Sequence, residues 1–357
     1  MKNFYKYIIG MTYIYLLFII ILIVISFIFI NNSLKNSIIE NYTGIMTDNF
    51  YEEISLKNYN LNRDDKTITN CDSNNNCITK SYKKHFNSDE SIKLAKNKIK
   101  TSEALQKNGI PIPKFLQIDL LKDNANKIIQ KMNQLKIFFP IILKPVNGTF
   151  GIDVITNIDN KEELSEYLQN FILKNYKEVM LEEQIEGDCY RIFVFFGKIL
   201  DIIKREKPHV RGDAEKSIQE LIDIRNEEQI AMKLFPTKNV SELFLMKQGY
   251  KLTDIPEYGK IVYISNVINM HNGARISRIP LNNIPQKNID IFIKTNKAIG
   301  INCSGIDYLS NNIEVEYDKN NSRILEVNGT PDTEIHTFIK FEENDSFFKR
   351  LVNQIYS

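Results

Sequence analysis

From Tyr7 to Ile30 the chain carries no charged residue and is dense in Ile, Leu and Phe. A helix that is apolar all round does not stay in water. At about 1.5 Å per residue the stretch is long enough to cross a hydrocarbon core of roughly 30 Å. A secretory signal would have an apolar region of about 7–15 residues and end at small residues. Phe27-Ile28-Phe29-Ile30 offers no such cleavage site. Residues 1–30 are therefore expected to be a single-pass membrane anchor, with the lipid bilayer as partner through residues 7–30. Tyr5 and Tyr7 suit the interface.

The rest of the chain is different in kind. With 357 residues it can build two lobes with cores of their own. The net charge of +2 and the absence of a basic stripe interleaved with aromatics give no reason to expect a nucleic-acid partner. Residues 31–87 are rich in Asn, Ser, Asp and Lys and predict a polar stalk or small subdomain. Of the four cysteines, Cys189 and Cys303 sit in apolar strand-like runs and read as reduced core thiols. Cys71 and Cys77 lie in the polar segment and would bridge in an oxidising compartment. No CxxC pair or histidine cluster suggests zinc.

From Ser88 the pattern becomes globular. Ser91 to Lys107 predicts a helix stopped by Gly109 and the prolines beyond it. Phe138 to Pro145 and Ile152 to Ile158 predict strands around a glycine turn. Asn160 and Glu163 predict a helix start. Val179 to Ile185 reads as a strand, and Tyr190 to Phe196 with Ile199 to Lys204 as a hairpin turning at Gly197. Helices are expected over Ser217 to Glu228 and Gln286 to Ile299. Strands are expected over Lys260 to Asn269, Ile306 to Leu309 and Arg323 to Asn328. The mix predicts an α+β fold in two lobes, 88–186 and 187–357.

Three constellations carry chemistry. Glu326 and Asn328 are two apart on a strand and share a face, with Asp307 available on the neighbouring strand. Hard oxygen ligands of this kind suit Mg²⁺, which keeps waters and borrows phosphate oxygens; a solvated sheet face is the alternative. Lys144 ends an apolar strand and is followed by Gly148 and Gly151, an arrangement whose amides and ammonium can handle phosphate. Glu182 and Glu183 close a strand and read either as an adenine-facing edge or as an exposed strand end. The four histidines are scattered and predict no general base.

Taken in order, these segments resemble the ATP-grasp superfamily, and most the ATP-grasp domain of cyanophycin synthetase and related peptide-forming ligases. The likeness runs through Asn97-Lys98 with Gly109-Ile110-Pro111, Leu143-Lys144-Pro145 with Gly148-Thr149-Phe150-Gly151, Leu181 to Gly187, Arg205 to Val210, Asn269 to Gly273, Gly305-Ile306-Asp307 and Leu325 to Asn328. It implies an ATP-grasp fold: two α+β lobes holding ATP between them. It implies Lys98, Lys144 and the loop of Gly148 and Gly151 at the phosphates. Glu182 would meet adenine, with Glu183 to Ile185 beside it and Cys189 at the ribose. Asp307, Glu326 and Asn328 would bind Mg²⁺, and Arg191, Arg275 and Asn269 would serve the reacting carboxylate. The implied activity is carboxylate–amine ligation through an acyl phosphate, with small amino-acid or peptide substrates.

The sequence departs from that pattern in three places. Asp153 stands where the phosphate loop often has glycine, Cys189 where an acid would hold the ribose, and Ser265 where an arginine is common. These departures motivate an alternative, a nucleotide-binding scaffold without turnover. Orientation is balanced between two arguments. Lys2 and Lys6 precede the apolar span and Lys35 follows it, which leans toward a cytosolic N-terminus. The ATP supply favours a cytosolic catalytic domain, and that is the expectation.

Overall fold

The computed structural model describes residues 48–148, 151–232, 234–238, 240–266, 268, 270–339 and 345–356. The expected membrane segment lies outside them. Among the described residues no helix is long and apolar enough to cross a membrane.

The described chain begins with helix α1 (Asp48–Leu56) and a three-stranded antiparallel meander of β1 (Asn60–Asn62), β2 (Thr67–Cys71) and β3 (Cys77–Ser81). Its polar residues make the turns. Asn62 Oδ1 accepts from the Asp64 and Asp65 amides, and Asp72 Oδ1 from those of Asn74 and Asn76. Cys71 and Cys77 face each other across the second turn in a disulfide. Phe50, Ile54, Ile68, Tyr82 and Phe86 are buried, so 48–86 is a packed module and not an extended stalk. Its last link is Asn87. The amide Nδ2 donates to the carbonyls of Cys303 and Gly329, each at 2.7 Å, and Oδ1 accepts from the Asn302 and Cys303 amides.

The helix expected over Ser91 to Lys107 is two helices, α2 (Asp89–Lys96) and α3 (Lys98–Lys107). The break is at Asn97, whose side chain caps α3 by accepting from the Lys100 amide. Both helices pack against the last strand, β14 (Ser322–Asn328), and Ala95, Leu105 and Ile110 join the core of the larger sheet. The segment expected to open the first lobe therefore belongs to the second, because its apolar face finds its partners there. The first lobe proper comprises β4 (Phe115–Asp119), α4 (Ala125–Leu135), β5 (Ile141–Pro145), β6 (Ile155–Ile158), α5 (Lys161–Leu173) and β7 (Glu178–Glu183). Its antiparallel sheet runs β4-β7-β5-β6, and α4 and α5 bury Ile128, Met132, Leu164, Leu168 and Phe171 against it.

The second sheet is antiparallel in the order β12-β9-β8-β13-β14. It is built from β8 (Asp188–Phe195), β9 (Lys198–Glu206), β12 (Arg275–Arg278), β13 (Cys303–Ser310) and β14. The strand pair β10 (His209–Arg211) and β11 (Ile261–Tyr263), with α6 (Ile218–Ala231) and α7 (Glu242–Lys247), forms an insertion with its own small core. The strand expected over Lys260 to Asn269 is confined to β11. Residue alternation divides the work of the large sheet. Ile192, Val194, Ile306 and Tyr308 face helix α8 (Gln286–Ala298). On the opposite face, Phe193, Phe195 and Cys303 are covered by the N-terminal module and helix α9 (Phe347–Ile355). Further along the same face, Cys189, Arg191 and Asp307 open into a cavity.

Candidate functional site

The cavity, about 520 Å³, lies between the two sheets, with the segment Glu183–Gly187 as the link between lobes. The break at Asn97 aims Lys98 into it. Backbone contact between Lys98 and Val146 joins α3 to the end of β5. The Lys98 ammonium donates to the Gly148 carbonyl at 2.7 Å and lies 3.6 Å from Glu326. Lys144 reaches the same space from β5. Its ammonium is 2.6 Å from Glu182, and both side chains are buried. Burial pushes the Glu182 carboxyl above the usual carboxylate range, with Lys144 pulling the other way. The sequence reading separated these two residues, Lys144 to phosphate and Glu182 to adenine. The structure couples them, because neither charge can be buried alone.

At the floor, Arg191 and Arg205 converge on Asp307 at 3.2 and 2.8 Å. Arg191 also donates to the Gly305 carbonyl at 3.0 Å. A β-carbon at Gly305 would lie 2.6 Å from the Arg191 guanidinium, so the glycine makes room for the arginine to lie across β13. Arg205 donates to Cys189 Sγ at 3.1 Å. Burial raises the Cys189 pKa above the usual thiol value although Arg205 opposes it, which leaves a neutral thiol on the cavity wall. Burial alone would lower the Arg205 pKa, but Asp307 and Cys189 outweigh it and hold the guanidinium charged.

Asp307 and Glu326 are direct partners across β13–β14, and Asn328 pairs with Gly305 two positions along. All three line the cavity. Asn328 spends its Nδ2 on the Gly305 carbonyl at 3.2 Å, which leaves its oxygen for other use. Among the described residues no three His, Cys, Asp or Glu side chains gather closely enough to hold a metal by themselves. Two carboxylates and an amide oxygen beside buried cations fit Mg²⁺, whose remaining ligands are phosphate oxygens and water. Asp307, Glu326 and Asn328 are the residues that would hold it.

Other sequence-predicted residues are placed as follows. Gly148, Gly151, Glu183, Ile185 and Cys189 line the cavity. Asn269 lies outside the described residues; its neighbours Ile268 and Met270 line the cavity. Arg275 does not line it. It is half exposed and paired with Glu228 at 3.1 Å. Ile276 takes the inward position on β12, so alternation turns Arg275 away. Arg205 is the arginine that sequence reasoning passed over, although it stood inside a quoted motif. The signal was its spacing from the apolar Ile203, two residues earlier on the same face. Asp153 is turned from the cavity and held by Lys174 and Tyr176, which lower its pKa. Asp188 is likewise turned outward, 2.6 Å from Lys204. Ser265 is buried and lines an adjoining crevice.

Two sheets thus grip a cavity lined by paired lysines, arginines and strand-borne oxygen ligands. Residues 95–245 match the model of the RimK-like ATP-grasp domain. Cyanophycin synthetase from Synechocystis sp. is 27% identical over 254 residues, covering 69% of this chain and 28% of its own length. The glutathione biosynthesis bifunctional protein GshAB from Clostridium perfringens is 25% identical over 273 residues, covering 74% of this chain and 34% of its own. The chain thus spans about a third or less of the length of these relatives. Among solved structures, a bifunctional glutathione synthetase from Pasteurella multocida superposes with a TM-score of 0.49 at 21% identity, over 78% of this chain and 39% of its own.

Proposed function

We propose that the chain is an ATP-dependent carboxylate–amine ligase that works through an acyl phosphate. The observation that carries this reading is the convergence of Lys98, Lys144, Arg191 and Arg205 with Asp307, Glu326 and Asn328 on one cavity. A carboxylate oxygen attacks the γ-phosphorus of ATP; that O–P bond forms as the bond to ADP breaks. The amine lone pair then attacks the acyl carbon, the C–N bond forms, and phosphate leaves with the C–O electron pair while the amine proton passes to solvent. Lys98 and Lys144 neutralise phosphate charge, and Arg191 and Arg205 orient the anionic acyl group. Bound Mg²⁺ would supply further charge neutralisation at the phosphates. These residues contribute by positioning and charge, with no general base required of the histidines. Amino acids or peptides are the substrate class, by analogy with the relatives.

The scaffold alternative loses one of its three motives, since Asp153 faces away from the cavity. ADP release measured against a panel of carboxylates and amines tests the reading. ATP binding with no ADP from any pair would favour the scaffold.

We also propose that residues 7–30 tether the domain to a bilayer, with the catalytic domain on the cytosolic side where ATP is supplied. The disulfide argues the other way. No residue of the module 48–87 lines the cavity, so the hairpin tip can be reduced in the cytosol without touching the site. Protease protection of residues 88–357 in vesicles with the cytosolic face outward would overturn the placement.

A further inference from the structure

Beside the cavity lies a second crevice of about 510 Å³. The two share Gly151, Val154 and Asn266 in their walls, so the crevice meets the cavity at the glycine loop, where the acyl phosphate would form. Its volume is in the range of small-molecule sites. Tyr167 from α5 forms one side, and Val240, Leu243 and Phe244 at the start of α7 the other. Ser265 and Asn272, hydrogen-bonded to each other at 3.3 Å, add uncharged polar groups to its lining.

Among the described residues, the two ionic side chains in its lining are already engaged. Asp153 is held by Lys174 and Tyr176. Lys247 donates to the Asn157 carbonyl at 2.8 Å and lies 2.9 and 3.0 Å from Asp159 and Glu163. That clamp also fixes α7 over β6, so the crevice is a built feature of the fold.

We infer that this crevice receives the side group of the amine substrate, and that the group is uncharged and partly apolar, such as that of a neutral amino acid or a peptide residue. The inference rests on the ligase reading for its reaction and on the crevice for its selectivity. An ionic side group would leave water here and find only charges that are already paired. An aliphatic or aromatic group gains contact with Tyr167, Leu243 and Phe244. Ser265 is a small lining residue, and a longer side chain there would take up crevice space.

Two measurements on the full chain test this. In the first, ADP release is followed at saturating ATP and a fixed concentration of the carboxylate that gives most ADP in the panel above, with leucine, phenylalanine, aspartate and lysine as amines. The variant Leu243→Lys is run beside the wild type. Leu243 is half exposed, so the change should fold. The wild type is expected to show at least a tenfold lower KM for leucine and phenylalanine than for aspartate or lysine. Leu243→Lys should raise the KM for the apolar amines about tenfold, lower it for aspartate, and leave the KM for ATP unchanged. In the second, saturation-transfer NMR reads binding of phenylalanine amide with a non-hydrolysable ATP analogue present, independent of turnover. Turnover that prefers charged amines would overturn the inference and keep the ligase. Binding of the amide that Leu243→Lys abolishes, with no turnover from any amine, would keep the crevice and sink the ligase. Amide binding unaffected by Leu243→Lys would overturn the inference whatever the turnover.

Discussion

One face of β8 serves two opposite ends. Cys189 and Arg191 look into the cavity, while Phe193 and Phe195, two and four residues on, are sealed beneath the N-terminal module and α9. The backbone pleat is the same along the strand, and only the cover differs. Where protein covers the sheet, the side chains are aromatic: Phe193 meets the Phe347 ring edge-on at 4.9 Å and the imidazole of His336 at 5.2 Å. Where ligand is proposed to cover it, the side chains are polar: Arg191 pairs with Asp307, and the Cys189 thiol accepts from Arg205. Function and stability are therefore adjacent on one strand yet chemically separable.

The largest test of that separation is Glu326→Ala, which removes a proposed metal ligand from a partly exposed position. Turnover is expected to fall about 10²–10³-fold or more with an unchanged melting curve. Normal ADP production by the folded variant would remove Glu326 from the site. On the covered end, Phe193→Ala should do the reverse. Emptying a fully buried phenylalanine costs about 3–5 kcal/mol of stability. Urea unfolding measures it, and the KM for ATP should hold in the fraction that remains folded. A shifted KM with no loss of stability would mean that the two ends are not separable.

The covered end also predicts a pH response. Burial lowers the His85 pKa from 6.5 to about 4, against the pull of Asp332. The unfolded chain then binds the extra proton between those two values, so stability is full above pH 6.5 and falls as the pH drops toward 4. The shift is worth about 3 kcal/mol at most. His85→Phe should flatten stability against pH in that window, and an unaltered slope would place its source elsewhere. The smallest effect is at the open end. Cys189→Asp puts a carboxylate beside Arg205, where a ribose hydroxyl would give it a bond of roughly 1.5–3 kcal/mol. Calorimetry is expected to show tighter ATP binding. Weaker binding with a lower melting temperature would show that Cys189 is a packing thiol with no place at the ribose.

The same contrast explains what could be read from the sequence. Asp307, Glu326 and Asn328 were legible because a period of two on adjacent strands settles the face they share. The pairing of Lys144 with Glu182 was not, because it joins neighbouring strands across a register that only folding sets. Arg275 was assigned to the site and Arg205 was not. Each sits in an irregular run, and one step in strand phase decides which arginine points inward. The sequence left 31–87 between a polar stalk and a small subdomain because its Asn and Asp residues are turn-makers. Its few apolar residues form a core only with β8, β9, β13 and α9, the last nearly three hundred residues away in sequence.

The amide of Asn87 has a mechanical consequence. Asn87 is where the N-terminal module is locked to the large sheet by hydrogen bonds as well as by packing. At its far end four hydrogen bonds from one side chain clasp β13 at Asn302 and Cys303 and the carbonyl of Gly329, the residue after Asn328. Such a clasp is loaded in parallel, and it gives way as a unit. Because the module is also packed on the sheet and on α9, a force that displaced it would have to break this polar clasp and the apolar core together before it reached Asn328.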